Sequence, residues 1–83
     1  MNDDAIRTTV LEALHLVAPE ADPAVLDPTA DLRDELDIDS MDQLNFMLGL
    51  NARFGVEIPE RDYPKLMSLD DCVEYLRERV PVT

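Results

Sequence analysis

The chain has 83 residues, of which 46% are hydrophobic and 31% charged, so we expect one folded domain over residues 1–83 with a small core. Nineteen acidic residues against seven lysines and arginines give a formal net charge of -12, which argues against nucleic acid and anionic membranes as partners. A partner with a basic surface is the natural complement, although high charge also keeps a small protein soluble.

The first predicted helix begins near Asn2 or Asp3 and ends before Pro19. Its buried face consists of apolar residues at helical spacing: Ile6, Val10, Ala13, Leu14 and Val17. Residues 19–39 include three prolines and are predicted to form a long ordered loop, with a short helical turn around Asp22 to Leu26. Four apolar residues are expected to anchor this loop in the core: Leu26, Leu32, Leu36 and Ile38.

The second predicted helix runs from Ser40 to Phe54, because Asp39 is a good N-cap and Gly55 a good C-cap. Asp42 lies where a capping box places an acidic residue. This helix carries two apolar stripes, and the one expected in the core contains Phe46, Met47, Leu50 and Phe54. The other is either core or an exposed docking face, and the small domain favours docking; it contains Met41, Leu44, Leu48 and Ala52.

A short helix is predicted from Glu60 to Tyr63, between Pro59 and the disturbing Pro64. Ser68 is expected to cap the last helix, with Asp71 in the capping-box position. The inner stripe of this helix contains Leu69, Cys72, Val73, Leu76 and Val80. The predicted fold is therefore all-α, a small bundle of three main helices and one short helix with a long first loop.

Ser40 begins a helix between acids, and several chemistries could use its hydroxyl. A hydrolase is disfavoured because the only histidine, His15, lies on another helix and no Gly-x-Ser-x-Gly turn surrounds the serine. Phosphorylation would gain from the helix dipole, but Asp39 and Asp42 would offset part of that gain. Asp37 and Asp39 match the first acidic positions of an EF-hand loop, but the residues after them do not match its later positions. No specific metal is therefore expected. Local pattern alone leaves an ordinary helix cap open.

Three segments in series resemble the acyl carrier protein family. Residues 32–42 read Leu-Arg-Asp-Glu-Leu-Asp-Ile-Asp-Ser-Met-Asp, similar to the family's prosthetic-group motif Asp-Leu-Gly-x-Asp-Ser-Leu-Asp. Residues 54–60 read Phe-Gly-Val-Glu-Ile-Pro-Glu, similar to its Phe-x-x-Glu-Ile-Pro-Asp/Glu segment, and residues 65–76 resemble its closing turn and helix. The match covers roughly half of the chain without a gap, which makes it far more specific than the Asp-Ser pair alone.

The resemblance implies a four-helix carrier with 4′-phosphopantetheine attached to Ser40, next to Asp39, by a separate phosphopantetheinyl transferase. The protein itself would catalyse nothing and would present acyl groups, held as thioesters, to loading, condensing or acyl-transfer enzymes with basic docking patches. Residues implied to meet those partners are Met41, Asp42, Leu44 and Leu48. Residues implied to line an acyl pocket are Phe46, Met47, Leu50 and Ile58. With no visible signal peptide or apolar span, we expect a cytosolic monomer.

Several positions depart from the family pattern. Asp37 replaces the usual Gly, Met41 the usual Leu, and Asn45 a frequent Glu, while residues 51–53 are less acidic than in housekeeping members. These departures suggest a carrier dedicated to a specialised pathway, making a polyketide, a nonribosomal peptide or an unusual lipid. Two alternatives are an aminoacyl or peptidyl carrier and a non-covalent acidic docking module that is never modified. Cys72 is expected to be a core thiol rather than the working one.

Overall fold

The computed structural model describes residues 2–22 and 24–80, and within those ranges it is all helical, as the sequence predicts. Four α-helices span Asp3–Val17 (α1), Leu32–Leu36 (α2), Ser40–Phe54 (α3) and Leu69–Arg77 (α4), and a 3₁₀ helix spans Glu60–Lys65. α1 packs against both α3 and α4, and the 3₁₀ helix packs against α4. None of the helices formed by these residues is both long and apolar enough to cross a bilayer.

The helix ends follow local capping chemistry. Asn2 caps α1 by accepting the backbone N–H of Ala5, and Ser68 caps α4 by accepting that of Asp71. Gly55 ends α3 in a left-handed conformation with φ of 66°, which costs glycine little because it lacks a Cβ. The predicted bounds of α3 are therefore confirmed at both ends.

Two local features differ from the sequence predictions. The turn predicted around Asp22 to Leu26 includes Pro23, which lies outside the described residues; Val25 N–H donates to Asp22 C=O at 3.1 Å, and the helix that this loop contains is α2, which the sequence did not predict. Asp31 starts α2 by accepting the backbone N–H of Arg33. The short helix also continues through Pro64 to Lys65, because a proline removes only one backbone hydrogen-bond donor from the two turns of this 3₁₀ helix.

The long loop is tied to the start of α4 by backbone hydrogen bonds. Leu32 N–H donates to Met67 C=O at 2.8 Å, and Asp70 N–H donates to Pro28 C=O at 2.9 Å. The predicted anchors are confirmed. Leu32 and Ile38 are buried, and Leu26 and Leu36 are partly buried against the core. From Pro28 onward the loop therefore has a fixed path towards α3.

One hydrophobic cluster joins the helices, and it includes the predicted inner residues of α1 and α4. Its fully buried members with the largest side chains are Phe46, Ile6, Leu14, Met47, Leu50, Leu66, Leu76, Val10 and Cys72. Two exposed ion pairs join α1 to α4: Arg7 lies 2.9 Å from Asp70, and Arg77 lies 3.0 Å from Asp3. Each such pair contributes at most about 1 kcal/mol, so apolar burial dominates the packing.

Candidate functional site

The first turn of α3 is held by a reciprocal capping box on either side of Ser40. The Asp39 carboxylate accepts the backbone N–H of Asp42 at 2.8 Å, and the Asp42 carboxylate accepts the backbone N–H of Asp39 at 3.5 Å. The predicted cap is confirmed. Because both carboxylates accept backbone N–H groups, the first turn of α3 is held in place. Ser40 lies in this turn and is exposed to solvent.

Ser40 is one of two serines in the chain, and the two have opposite environments. Ser68 is only 5% exposed, and its hydroxyl oxygen accepts the backbone N–H of Asp71. Ser40 is exposed and occupies the first position inside its helix. Of the two hydroxyls, only that of Ser40 is open to an incoming enzyme.

The chain turns sharply just before this site, at Asp37. Its φ of 53° and ψ of 41° are left-handed, and Asp37 is the one non-glycine residue with positive φ in the described part of the chain. Asp adopts this conformation more readily than most residues but less readily than Gly. The turn separates α2 from α3 and leads the backbone, through buried Ile38, into the capping box.

An open depression of about 340 Å³ lies beside Ser40, between the first turns of α3 and the 3₁₀ helix. Its lining consists of Ser40, Gln43, Leu44, Glu60 and Tyr63. Sequence reasoning missed Gln43, Glu60 and Tyr63. Gln43 could have been found from its position three residues after Ser40, which places both on one helix face. Glu60 and Tyr63 are brought there by tertiary packing alone.

The two apolar stripes of α3 have different environments. Phe46, Met47 and Leu50 are buried in the core, as predicted. On the second stripe, Met41 is 64% exposed, Leu44 41% and Leu48 57%. Ala52, which continues that stripe, is also exposed. The second stripe is thus a surface strip rather than core, and we call Met41, Leu44 and Leu48 the α3 strip.

The residues implied to line an acyl pocket lie in the closed core. Phe46, Met47, Leu50 and Ile58 all belong to the main hydrophobic cluster, and none of them lines the depression beside Ser40. Among the predicted site residues, Leu44 lines the depression together with Ser40. An acyl chain among the four core residues would have to displace well-packed side chains, so that role stays a prediction.

Cys72 is a core thiol, as predicted. It is fully buried, its Sγ lies 3.6 Å from the carbonyl oxygen of Leu66, and burial, with a smaller effect from Asp71, raises the pKa of its thiol to about 12. His15 is exposed on α1. In the two stretches 2–22 and 24–80, no three His, Cys, Asp or Glu side chains are grouped so that they could hold a metal ion.

The geometry fits a group esterified to Ser40. The hydroxyl is exposed at a helix start, where free backbone N–H groups and the helix dipole favour an anionic phosphodiester. The adjoining depression offers a carboxylate, an amide, a phenol ring and an aliphatic side chain to whatever is attached. The arrangement provides an attachment point with a neighbouring surface.

Comparison with known proteins bears on this site. The family model described as "Phosphopantetheine attachment site" matches residues 4–76. An acyl carrier protein of Thermosynechococcus vestitus is 27% identical over 77 residues of alignment, and the match covers 89% of this chain and 95% of that protein. The mitochondrial acyl carrier protein 2 of Arabidopsis thaliana is 32% identical over 57 residues, 69% of this chain and 45% of its own length.

Two further relatives complete the comparison. The mitochondrial acyl carrier protein of Neurospora crassa is 26% identical over 76 residues, 92% of this chain and 57% of that protein. This chain therefore spans only about half the length of the two mitochondrial relatives. Among solved structures, a candidate acyl carrier protein of Anaplasma phagocytophilum matches with a TM-score of 0.79 over 99% of this chain and 97% of that one, at 24% identity. That likeness establishes a shared fold.

Proposed function

Since this chain belongs to the phosphopantetheine-attachment family, whose cofactor is a covalently bound 4′-phosphopantetheine, we propose that it is an acyl carrier protein with the cofactor on Ser40. The observation that carries the assignment to this residue is the contrast between the two serines. Ser40 is exposed at the start of α3, while Ser68 is buried and bonded as a cap.

Loading would be the work of a separate transferase acting on coenzyme A. Ser40 Oγ would form a bond to the phosphorus next to the pantetheine while the pyrophosphate bond breaks and adenosine 3′,5′-bisphosphate leaves. The serine proton would pass to a base supplied by the transferase. Asp39 and Asp42 accept backbone N–H groups and so hold the turn that presents Ser40. Once bound, the cofactor supplies a thiol that holds an acyl group as a thioester. The chain's own part is presentation, so we propose a carrier and not an enzyme.

The α3 strip is the proposed docking surface for the transferase and the acyl-handling enzymes. Its three side chains are large, apolar and exposed, and they begin directly after Ser40. Asp39 and Asp42 lie at the same end of α3 and would meet basic groups on the partner. A net charge of -12 would speed the encounter with such a partner.

We propose a dedicated carrier for a specialised acyl or aminoacyl pathway rather than the general fatty-acid carrier. Asn45, Asn51 and Ala52 are exposed and uncharged beside the α3 strip, so the acidic character is concentrated at the start of the helix. If general fatty-acid enzymes elongated chains on the loaded protein at full rate, this part of the proposal would fail. A monomeric carrier domain over residues 1–83 in the cytosol remains the expectation, although two relatives are mitochondrial by name.

Intact-mass spectrometry tests the attachment. The protein is incubated with coenzyme A and a broad-specificity phosphopantetheinyl transferase under reducing conditions. We expect a gain of one phosphopantetheine in the wild type and in Ser68→Ala, and no gain in Ser40→Ala. Absence of any gain with several transferases would favour the docking module that is never modified.

A further inference from the structure

The loop before α3 forms a groove of its own with the end of α2. This groove has a volume of about 330 Å³ and is lined by residues 20–22, 25–26 and 35–37; we call it the loop groove. It shares no lining residue with the depression beside Ser40 or with the α3 strip. We propose that the loop groove is a second docking site, which binds a basic amphipathic segment of a partner protein. Such binding needs neither Ser40 nor its cofactor.

The floor of the loop groove is apolar and anchored. Ala21, Leu26 and Leu36 are partly buried, and the two leucines pack against the hydrophobic core. Val25 is 76% exposed, the largest exposed fraction of any large hydrophobic residue in the described part of the chain. A partner that covers Val25 and the floor removes apolar surface from water, which favours association.

The apolar surface extends beyond the loop groove to α1. Ala21 and Leu26 also line a smaller hollow, together with Leu11, Leu14 and His15. The combined surface therefore runs from the end of α2 to the last turns of α1. A shallow surface of this length suits several side chains of a peptide segment, whereas a small-molecule site encloses most of its ligand.

The charges around the floor favour a basic occupant. Four exposed acidic residues line the groove: Glu20, Asp22, Glu35 and Asp37. No side-chain ion pair within residues 2–22 and 24–80 involves any of them, and no lysine or arginine of those ranges lines the groove. Lysine and arginine join an apolar stem to a charged end, so they complement both the floor and the carboxylates. A free fatty acid, or a second copy of this chain with its net charge of -12, would be repelled.

Asp37 connects this surface with a partner particular to this chain. It stands where the carrier family usually has Gly, so it adds a carboxylate to the groove that the family pattern lacks. The residue keeps this position despite a φ of 53°, which Gly would adopt more readily. A charge retained on an unfavourable backbone conformation is consistent with a role in binding.

Hydrogen bonds hold the loop wall of the groove in shape. Ala21 N–H donates to Ala18 C=O at 3.0 Å, and the Asp22 carboxylate accepts the backbone N–H of Ala24 at 2.9 Å. Little ordering of this wall is therefore needed when a segment binds.

Titration with a synthetic peptide tests the proposal. The probe is a helix-forming peptide of leucine, alanine and lysine, with its leucines on one face and its lysines beside them. Added to ¹⁵N-labelled protein at low salt, it should shift amide resonances mainly in residues 11–15, 20–26 and 35–37, and high salt should weaken its binding. Ser40→Ala should bind the peptide as the wild type does, so this test stands apart from the carrier function. Shifts centred on residues 39–48, or no binding at millimolar peptide, would overturn the proposal.

Two pairs of variants examine the floor and the charge. Val25→Ser should weaken the affinity about tenfold, measured by fluorescence anisotropy, while Leu48→Ser, which changes an equally exposed apolar residue of the α3 strip, should leave it unchanged. Asp37→Gly should weaken it roughly fivefold without straining the backbone, while Asp34→Asn, an exposed acid outside the groove, should have little effect. Equal weakening within either pair would overturn the assignment to the loop groove.

Further titrations identify the occupant. A peptide with glutamates in place of its lysines should not bind, and equal binding of that peptide would overturn the role of the charges. Decanoate and unlabelled protein should not shift the groove amides. Shifts produced by either of them would identify a different occupant and overturn the basic segment.

Discussion

The Asp39 carboxylate accepts the backbone N–H of Asp42 at 2.8 Å, and this bond fixes the turn on which Ser40 lies. The same two acids are the charges nearest to Ser40 in sequence, so they serve the cap and, in our proposal, the partner. Changing the charge and the hydrogen-bond acceptor separately distinguishes these two roles.

Replacing Asp39 should therefore separate stability from loading. Asp39→Ala removes the cap and should lower the free energy of unfolding by about 1 kcal/mol in urea denaturation. Asp39→Asn keeps a good cap and should change it by only a few tenths of a kcal/mol. An equal loss in both variants would show that the charge, and not the cap, stabilises α3.

The Asn variant should nevertheless be loaded more slowly. Loss of one exposed charge at the docking surface should lower the transferase kcat/KM roughly fivefold at low salt, equivalent to about 1 kcal/mol. High salt should shrink the difference, because it screens exposed charges. Asp34→Asn, an exposed acid on α2, serves as the control and should change the rate less. Equal slowing in both variants would argue against a local contact with Asp39.

Asp37 should be replaceable by glycine with a gain in stability. Its φ of 53° suits Gly better than Asp, so Asp37→Gly should raise the free energy of unfolding by about 0.5 kcal/mol. Asp34→Gly removes the same charge from the helical backbone of α2 and should lower the free energy of unfolding by about 0.3 kcal/mol. Thermal or urea unfolding of both variants measures the two changes in unfolding free energy. Changes of the same sign would show that they do not arise from the backbone conformation at these two positions.

The two glycines of the chain should respond to alanine in opposite directions. A Cβ at Gly49 would lie 3.6 Å from the Cβ of Ala13, an ordinary contact, so Gly49→Ala should stabilise the helical interior by up to about 1 kcal/mol. At Gly55 there is open space but a φ of 66°, so Gly55→Ala should cost about 1 kcal/mol. Denaturation of each variant tests this, and a destabilised Gly49→Ala would show that α1 and α3 are too close for the added methyl.

Cys72 should make the protein sensitive to alkali. Burial raises the pKa of its thiol from 9.0 to about 12, so the folded protein keeps a proton that the unfolded chain loses above pH 9. The free energy of unfolding is therefore unaffected by this thiol below pH 9. It should fall as the pH rises towards 12, by up to about 1.4 kcal/mol per pH unit. Unfolding free energies at several pH values should fall more steeply for the wild type than for Cys72→Ala. Parallel curves would contradict a buried thiol.

Local chemistry explains which parts of the fold could be predicted. The bounds of α3 follow from the cap at Asp39 and from Gly55, both visible in sequence, and the core position of Cys72 follows from helical spacing. α2 was missed because five residues are too few to show periodicity, and only its cap at Asp31 marks it. The depression could not be predicted, because Glu60 and Tyr63 reach Ser40 through the packing of the 3₁₀ helix.

Fragmentation mass spectrometry of the loaded wild-type protein tests the central claim most directly. Reducing conditions are essential, because a mixed disulfide at Cys72 in partly unfolded protein would also add mass. The account predicts that the phosphopantetheine lies on Ser40 in every modified molecule. Modification of Ser68, or of any residue other than Ser40, would contradict it.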